Sequence, residues 1–184
     1  MDTALDLAPA LTRPELLAPP VAAALRGWPE AAAARVEVAG IDPELADTAA
    51  FCERYGVALA DSANCVVVAG KRGGATSYAA CVVTATSRAD VNGRVRRLLD
   101  ARKASFAPVD AVLAVTGMEY GGITPIGLPD DWPVLVDATV AAHSRVVVGS
   151  GIRGSKLWIP GELLAELPGA QVLEGLGLPL VQSA

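Results

Sequence analysis

The chain has 184 residues but only one histidine, His143, and three widely spaced cysteines, Cys52, Cys65 and Cys81. With no CxxC pair and a single imidazole, the donor set for a structural or catalytic zinc is missing, so neither a metal nor a cofactor is expected. The three thiols read as small buried hydrophobes. Cys65 opens the apolar run CVVVA after Asn64, yet no cation adjoins it in sequence to lower its pKa and make it a nucleophile. Any Ser/His or Cys/His mechanism would have to use His143, which stands beside Ser144 ahead of a strand and reads as a surface turn residue. There is no GxSxG elbow and no Walker loop. GSGIRG (Gly149–Gly154) spells GxGxxG, but it leads into the strand-like KLWI, so no helix N-terminus is available to receive a phosphate.

Long apolar runs are also missing. The longest uncharged stretch, Gly73–Ser87, is too short to cross a bilayer and is rich in Gly, Ser and Thr. The opening residues MDTALDLAPALTRPELL place acids where a signal peptide has its basic region, so a cytoplasmic protein with no membrane partner is expected. Basic charge is in deficit: 15 Lys and Arg stand against 20 Asp and Glu, a net charge of −5. An acidic chain repels phosphate backbones at long range, which argues against autonomous tight binding to nucleic acid, and no DNA partner is expected. A nucleic-acid partner would need a local basic patch or the help of another protein.

What is present suffices for a folded core. Apolar residues make up 52% of the chain and mean hydropathy is +0.40. Residues 1–30 read as a loosely attached N-terminal arm with a short helix at Pro20–Gly27, and residues 31–184 as one domain. Strands are expected at Arg35–Ala39, Cys65–Ala69, Tyr78–Ala85, Val134–Asp137, Arg145–Val148 and Lys156–Ile159. Helices are expected from Asp42-Pro43 to Gly56, after Asp90, at Asp110–Val115 and at Gly161–Leu167. Gly70–Gly74 reads as a hairpin turn. Because some strands are joined by short turns, the expected class is mixed α/β (α+β): a mixed sheet with helices around it, not a doubly wound parallel sheet.

Two segments could carry chemistry. Thr116–Pro133 is too rich in glycine and proline to form a regular element. Its GGITPIG core (Gly121–Gly127) can bring backbone N–H groups against a carbonyl oxygen as an oxyanion hole, or simply bridge two sheet edges. Arg88–Lys103 holds six basic residues, among them Arg94, Arg97 and Lys103, against Asp90 and Asp100. It is either a phosphate contact or a solvated helix face.

TGMEYGGITPIG (Thr116–Gly127), the strand Val134–Asp137 and VVVGSGIRGSKLWI (Val146–Ile159) together resemble the YbaK/ProX superfamily of aminoacyl-tRNA editing domains, over about residues 50–175. The resemblance implies a mixed, barrel-like sheet with surrounding helices and a pocket closed by the GGITPIG loop. It implies a deacylase that hydrolyses mischarged tRNA in trans by water attack on the aminoacyl ester, its partners being aminoacyl-tRNA and an aminoacyl-tRNA synthetase. Carried over to this chain, Gly121, Gly122, Pro125 and Asp137 would serve catalysis. Cys65, Met118, Ile123, Thr124, Gly149, Ser150 and Gly151 would hold substrate, and Arg94, Arg97 and Lys103 would meet the tRNA. In one respect the chain departs from the family: a lysine commonly opens the strand that here begins Asn64-Cys65, and Lys71 lies beyond that strand. Another base replaces that cation, or the substrate differs, or the pocket binds a small amino-acid-like or nucleotide-like ligand without catalysis.

Overall fold

The computed structural model describes residues 5–180. Its strands form three sheets. The largest has the order β10-β7-β4-β3-β6: Ala170–Leu173, Val134–Asp137, Ala75–Thr84, Ala63–Arg72 and Lys103–Phe106. The pairs β10–β7 and β7–β4 are parallel, and the rest are antiparallel. A second, wholly antiparallel sheet runs β1-β2-β9-β8: Ala8–Pro9, Glu37–Gly40, Ser155–Ile159 and Val146–Gly149. The third pairs β5 (Ser87–Ala89) with β11 (Gly177–Pro179). A parallel bridge between Ser62 and Val147 joins the two larger sheets. The mixed α/β class is as expected; the barrel-like sheet of the resemblance is an open pair of sheets that meet but do not close.

Local chemistry sets most boundaries. The β3–β4 hairpin reverses at Gly73 (φ 57°) and Gly74 (φ 85°), a two-residue turn that needs positive φ twice. Gly70 to Arg72 therefore belong to β3 and not to the turn. Asp47 caps α3 (Thr48–Tyr55) by accepting from the Ala49 and Ala50 amides at 3.0 and 3.2 Å, and Gly56 ends it in the left-handed region. The expected helix start at Asp42-Pro43 is a separate 3-10 turn, because a second cap, Asp47, restarts the chain one turn later. Asp90 does cap its helix, through the Gly93 and Arg94 amides, but the first turn, Val91–Val95, is a π-turn before α4 (Arg96–Leu98). The short helices α1 (Pro19–Arg26), α2 (Glu30–Ala33), α5 (Val109–Thr116), α6 (Ala138–Ala141) and α7 (Gly161–Ala165) complete the set.

From Ala10 onward the N-terminal stretch is packed against the domain and is not loose. Ala10, Leu17, Ala18, Val21 and Leu25 are buried with β8, β9 and β7 side chains in the largest core cluster. The Ala18 amide donates to Ser150 O at 3.1 Å, and Ser155 Oγ donates to Leu16 O at 2.6 Å. This stretch has no periodicity, so its burial is not visible as a pattern; Pro9 ends β1, Pro14 opens a 3-10 turn, and Pro19 and Pro20 start α1. Among the described residues no helix is long and apolar enough to cross a membrane.

Candidate active site

A cavity of about 450 Å³ lies between the ends of the two larger sheets. Two kinds of residue line it. Cys65 and Val67 of β3, Ala107, Val112 of α5 and Ile123 supply apolar surface. Asp47 and Thr48 at the start of α3, Asn64, Tyr120, Arg153 and Lys156 supply polar surface, with Gly121 and Gly149 between. These positions come together because β3 runs between the α3 cap and the 121–123 loop, while β9 brings its Lys156 in from the second sheet.

Lys156 is the one buried cation among the described residues, with 6% of its surface exposed. Its Nζ donates to Ala46 O at 2.9 Å and Gly121 O at 3.4 Å, and lies 5.7 Å from the centre of the Phe51 ring. Burial lowers its pKa; Asp47 works against that shift and Arg153 adds to it. An ammonium has three N–H donors, and two are accounted for. The chain thus holds a cation in the cavity although Asn64-Cys65 stands where the resemblance leads one to expect a lysine. Asn64 is occupied instead as an acceptor for Thr48 Oγ1 at 2.7 Å. Burial drives the Cys65 thiol pKa well above its ordinary value, with Cys81 beside it adding to the rise. The thiol is therefore neutral near pH 7 and has none of the thiolate character a nucleophile needs.

The GGITPIG loop is held by its own backbone. Gly121 has φ 85°, and a Cβ there would meet Ala46 Cβ at 3.2 Å and Arg153 Nη1 at 3.3 Å. Among the described residues, the Gly121 and Ile123 amides find no acceptor, whereas Gly122 donates to Glu119 O at 3.0 Å. Gly122 is a packing glycine: its O accepts from the Gly151 amide at 2.7 Å, and a Cβ would lie 2.5 Å from the Ile152 backbone. Ser150 supports the facing turn from behind, pairing with Ser155 Oγ at 2.7 Å, and a Cβ at Gly151 would lie 2.4 Å from Ala18 Cβ and 2.9 Å from Val21 Cγ2.

The remaining residues singled out in the sequence sit elsewhere. Pro125 lines a separate recess with Trp28, Gly127 and Leu128. Met118 and Thr124 are buried, Met118 in the main core. Asp137 is 3% exposed and structural in its contacts: it caps α6 through the Thr139 amide at 2.9 Å and fixes β11 by accepting from the Gly177 amide at 2.6 Å. His143 lies outside the cavity, with Nδ1 2.6 Å from Thr139 O. Arg94 and Arg97 are exposed on the π-turn and α4, and Lys103 is on β6; none lines the cavity. The pattern reading missed Lys156, Arg153 and Asp47. The signal for Lys156 was there: a single charge inside the apolar run SKLWI, all five residues of which are buried.

The family model for the aminoacyl-tRNA editing domain matches residues 42–167, which include every residue lining this cavity. No curated protein matches the chain. Solved structures of similar fold include a scaffold from work on computational grafting of linear epitopes (23% identical, TM-score 0.69), of which the match covers 97% and of this chain 89%. A candidate trans-editing enzyme for prolyl-tRNA synthetase is 21% identical with a TM-score of 0.68, covering 91% of this chain and 96% of that one. A hypothetical protein, also 21% identical, has a TM-score of 0.71 over 84% of this chain and 99% of its own. At these identities the structures speak for the fold alone, whereas the family model spans most of the chain. This protein belongs to the aminoacyl-tRNA editing domain family.

Proposed function

We propose that the chain hydrolyses the ester of a mischarged aminoacyl-tRNA in trans. The observation that supports this most is the assembly of one cavity from β3, the GGITPIG loop and Lys156, inside the segment that matches the editing family. An aminoacyl ester is already activated, so the site needs to position it, polarise its carbonyl and admit water; no triad, metal or cofactor is required. In this reading the Gly121 and Ile123 amides receive the carbonyl oxygen, and the third N–H of Lys156 supports the negative charge that grows there. The water oxygen bonds to the carbonyl carbon and gives up a proton. The ester C–O bond then breaks, and the ribose oxygen leaves as a hydroxyl. The products are free amino acid and tRNA, a reaction of the cytoplasm, where charged tRNA is used. A synthetase is the partner fitted to deliver that tRNA.

The apolar lining of Cys65, Val67, Val112 and Ile123 suits a small aliphatic side chain. The test is release of amino acid from a panel of mischarged tRNAs, with and without synthetase. The second reading, a binding pocket without catalysis, draws on Asn64-Cys65 in the family's lysine position. Tight binding of a non-hydrolysable aminoacyl-adenylate analogue together with no ester release would favour it.

A further inference from the structure

Beyond the cavity, the far end of β3 carries charge that the hydrolysis leaves unused. Lys71 of β3 and Lys103 of β6 are direct register partners across an antiparallel pair. Opposed residues of this kind have Cβ atoms about 4.5–5.5 Å apart, and like charges placed there cost stability. Arg72 and Arg102 stand next to them, with the Arg102 amide donating to Lys71 O at 2.9 Å. These four cations, the Gly73-Gly74 turn and Thr76 line a recess of about 320 Å³. Asp100 pairs with Arg72 at 2.9 Å; among the described residues no carboxylate lies within pairing distance of Lys71, Arg102 or Lys103. In a chain of net charge −5 this is a local concentration of uncompensated positive charge. Strand alternation puts Lys71 on the same sheet face as Cys65 and Val67 of the cavity, four residues or roughly 13 Å beyond Val67.

We propose that this recess binds the phosphodiester backbone of the tRNA acceptor arm, holding the polyanion while its aminoacylated end enters the cavity. The proposal rests on the deacylase reading for the identity of the nucleic acid, and its test does not depend on turnover. A like-charge pair held at a fixed register suits an anion-binding surface, since an intervening phosphate turns repulsion into attraction. Gly73 and Gly74 add no side chain to the rim, and all four cations are exposed.

Lys103→Glu separates binding from stability. It gives Lys71 an opposite charge across the strand pair, so the variant should melt at the same temperature as the parent or higher. Binding of uncharged tRNA, followed by fluorescence anisotropy at about 50 mM salt, should weaken at least tenfold. Lys71→Gln with Lys103→Gln should weaken it as well and flatten the plot of log affinity against log salt by about 1.5 to 2, the contribution of two phosphate contacts. Unchanged tRNA affinity and salt slope in variants that remain folded overturns the proposal, as does a parent that binds no tRNA at low salt. A parent that binds through this recess yet releases no amino acid leaves the proposal standing and removes the deacylase reading instead.

Discussion

Lys156 Nζ reaches Gly121 O at 3.4 Å, tying the one buried cation of the described chain to the glycine that opens the GGITPIG loop. The same ammonium holds Ala46 O, the residue before the α3 cap Asp47. Lys156 therefore fastens both walls of the cavity and still has a donor to spare.

Replacing it tests both roles. Lys156→Met should lower deacylation by about 10- to 100-fold, the range expected for one charge-assisted hydrogen bond. A loss in kcat places the contact in the transition state, and a loss in KM alone places it in substrate binding. Full activity in a folded Lys156→Met removes Lys156 from the mechanism.

The same residue gives a pH signature. Burial lowers its folded-state pKa below the ordinary 10.5, so between those two values the unfolded chain binds more protons than the folded one. Stability attributable to Lys156 is thus lowest when the group is charged in both states, and it rises as pH climbs through the folded pKa towards 10.5. Denaturant titrations from pH 7 to 10.5 should show this rise in the parent and less of it in Lys156→Met. Enzymatic deacylation above the spontaneous rate should fall over the same range, as the cation is lost.

Gly121 and Gly122 should respond differently to a methyl group. Gly121→Ala forces a side chain onto φ 85° against Ala46 and Arg153, costing about 1–2 kcal/mol while the fold survives. Turnover should drop at least tenfold because the amide beside the cavity moves. Gly122→Ala drives a Cβ into the Ile152 backbone and should lower the melting temperature more. A Gly121→Ala variant of full activity would make the loop a structural bridge only.

Cys65→Ala should keep kcat within about threefold, because a half-buried, neutral thiol in the cavity wall contributes packing and not nucleophilic attack. A loss of a thousandfold, or a trapped thioester, would reverse that assignment.

Arg94 and Arg97 lie six and three residues before Asp100, the partner of Arg72, so their segment flanks the basic recess without lining it. Arg94→Glu with Arg97→Glu should raise the KM for full-length aminoacyl-tRNA while leaving kcat on a minimal aminoacyl ester unchanged. The effect should be smaller than that of Lys71→Gln with Lys103→Gln and should shrink with added salt. An equal or larger effect would move the main phosphate contact to the helix.

The sequence spoke clearly where a local rule decided the outcome. Gly73-Gly74, Asp90 and Gly56 set a turn, a cap and a helix end through their own backbone chemistry, and the GGITPIG loop announced itself by composition. It was silent where partners are remote. β6 exists because the edge of β3 accepts it; a segment reading KASF carries no strand signal of its own. The resemblance assigned Asp137 to catalysis; its carboxylate is held by the Thr139 amide and by the Gly177 amide, which lies forty residues away and leaves no local trace in the sequence. Lys156 enters the cavity only because β9 is placed beside α3 and the loop, a matter of sheet order that spacing cannot express.

The most direct measurement is amino-acid release from a panel of mischarged tRNAs by the parent and by Lys156→Met, each corrected for spontaneous hydrolysis. The parent should release amino acid from at least one tRNA carrying a small aliphatic residue, and the variant should lose tenfold or more of that activity. No release above the spontaneous rate across the whole panel, even with synthetase present, would contradict the deacylase reading.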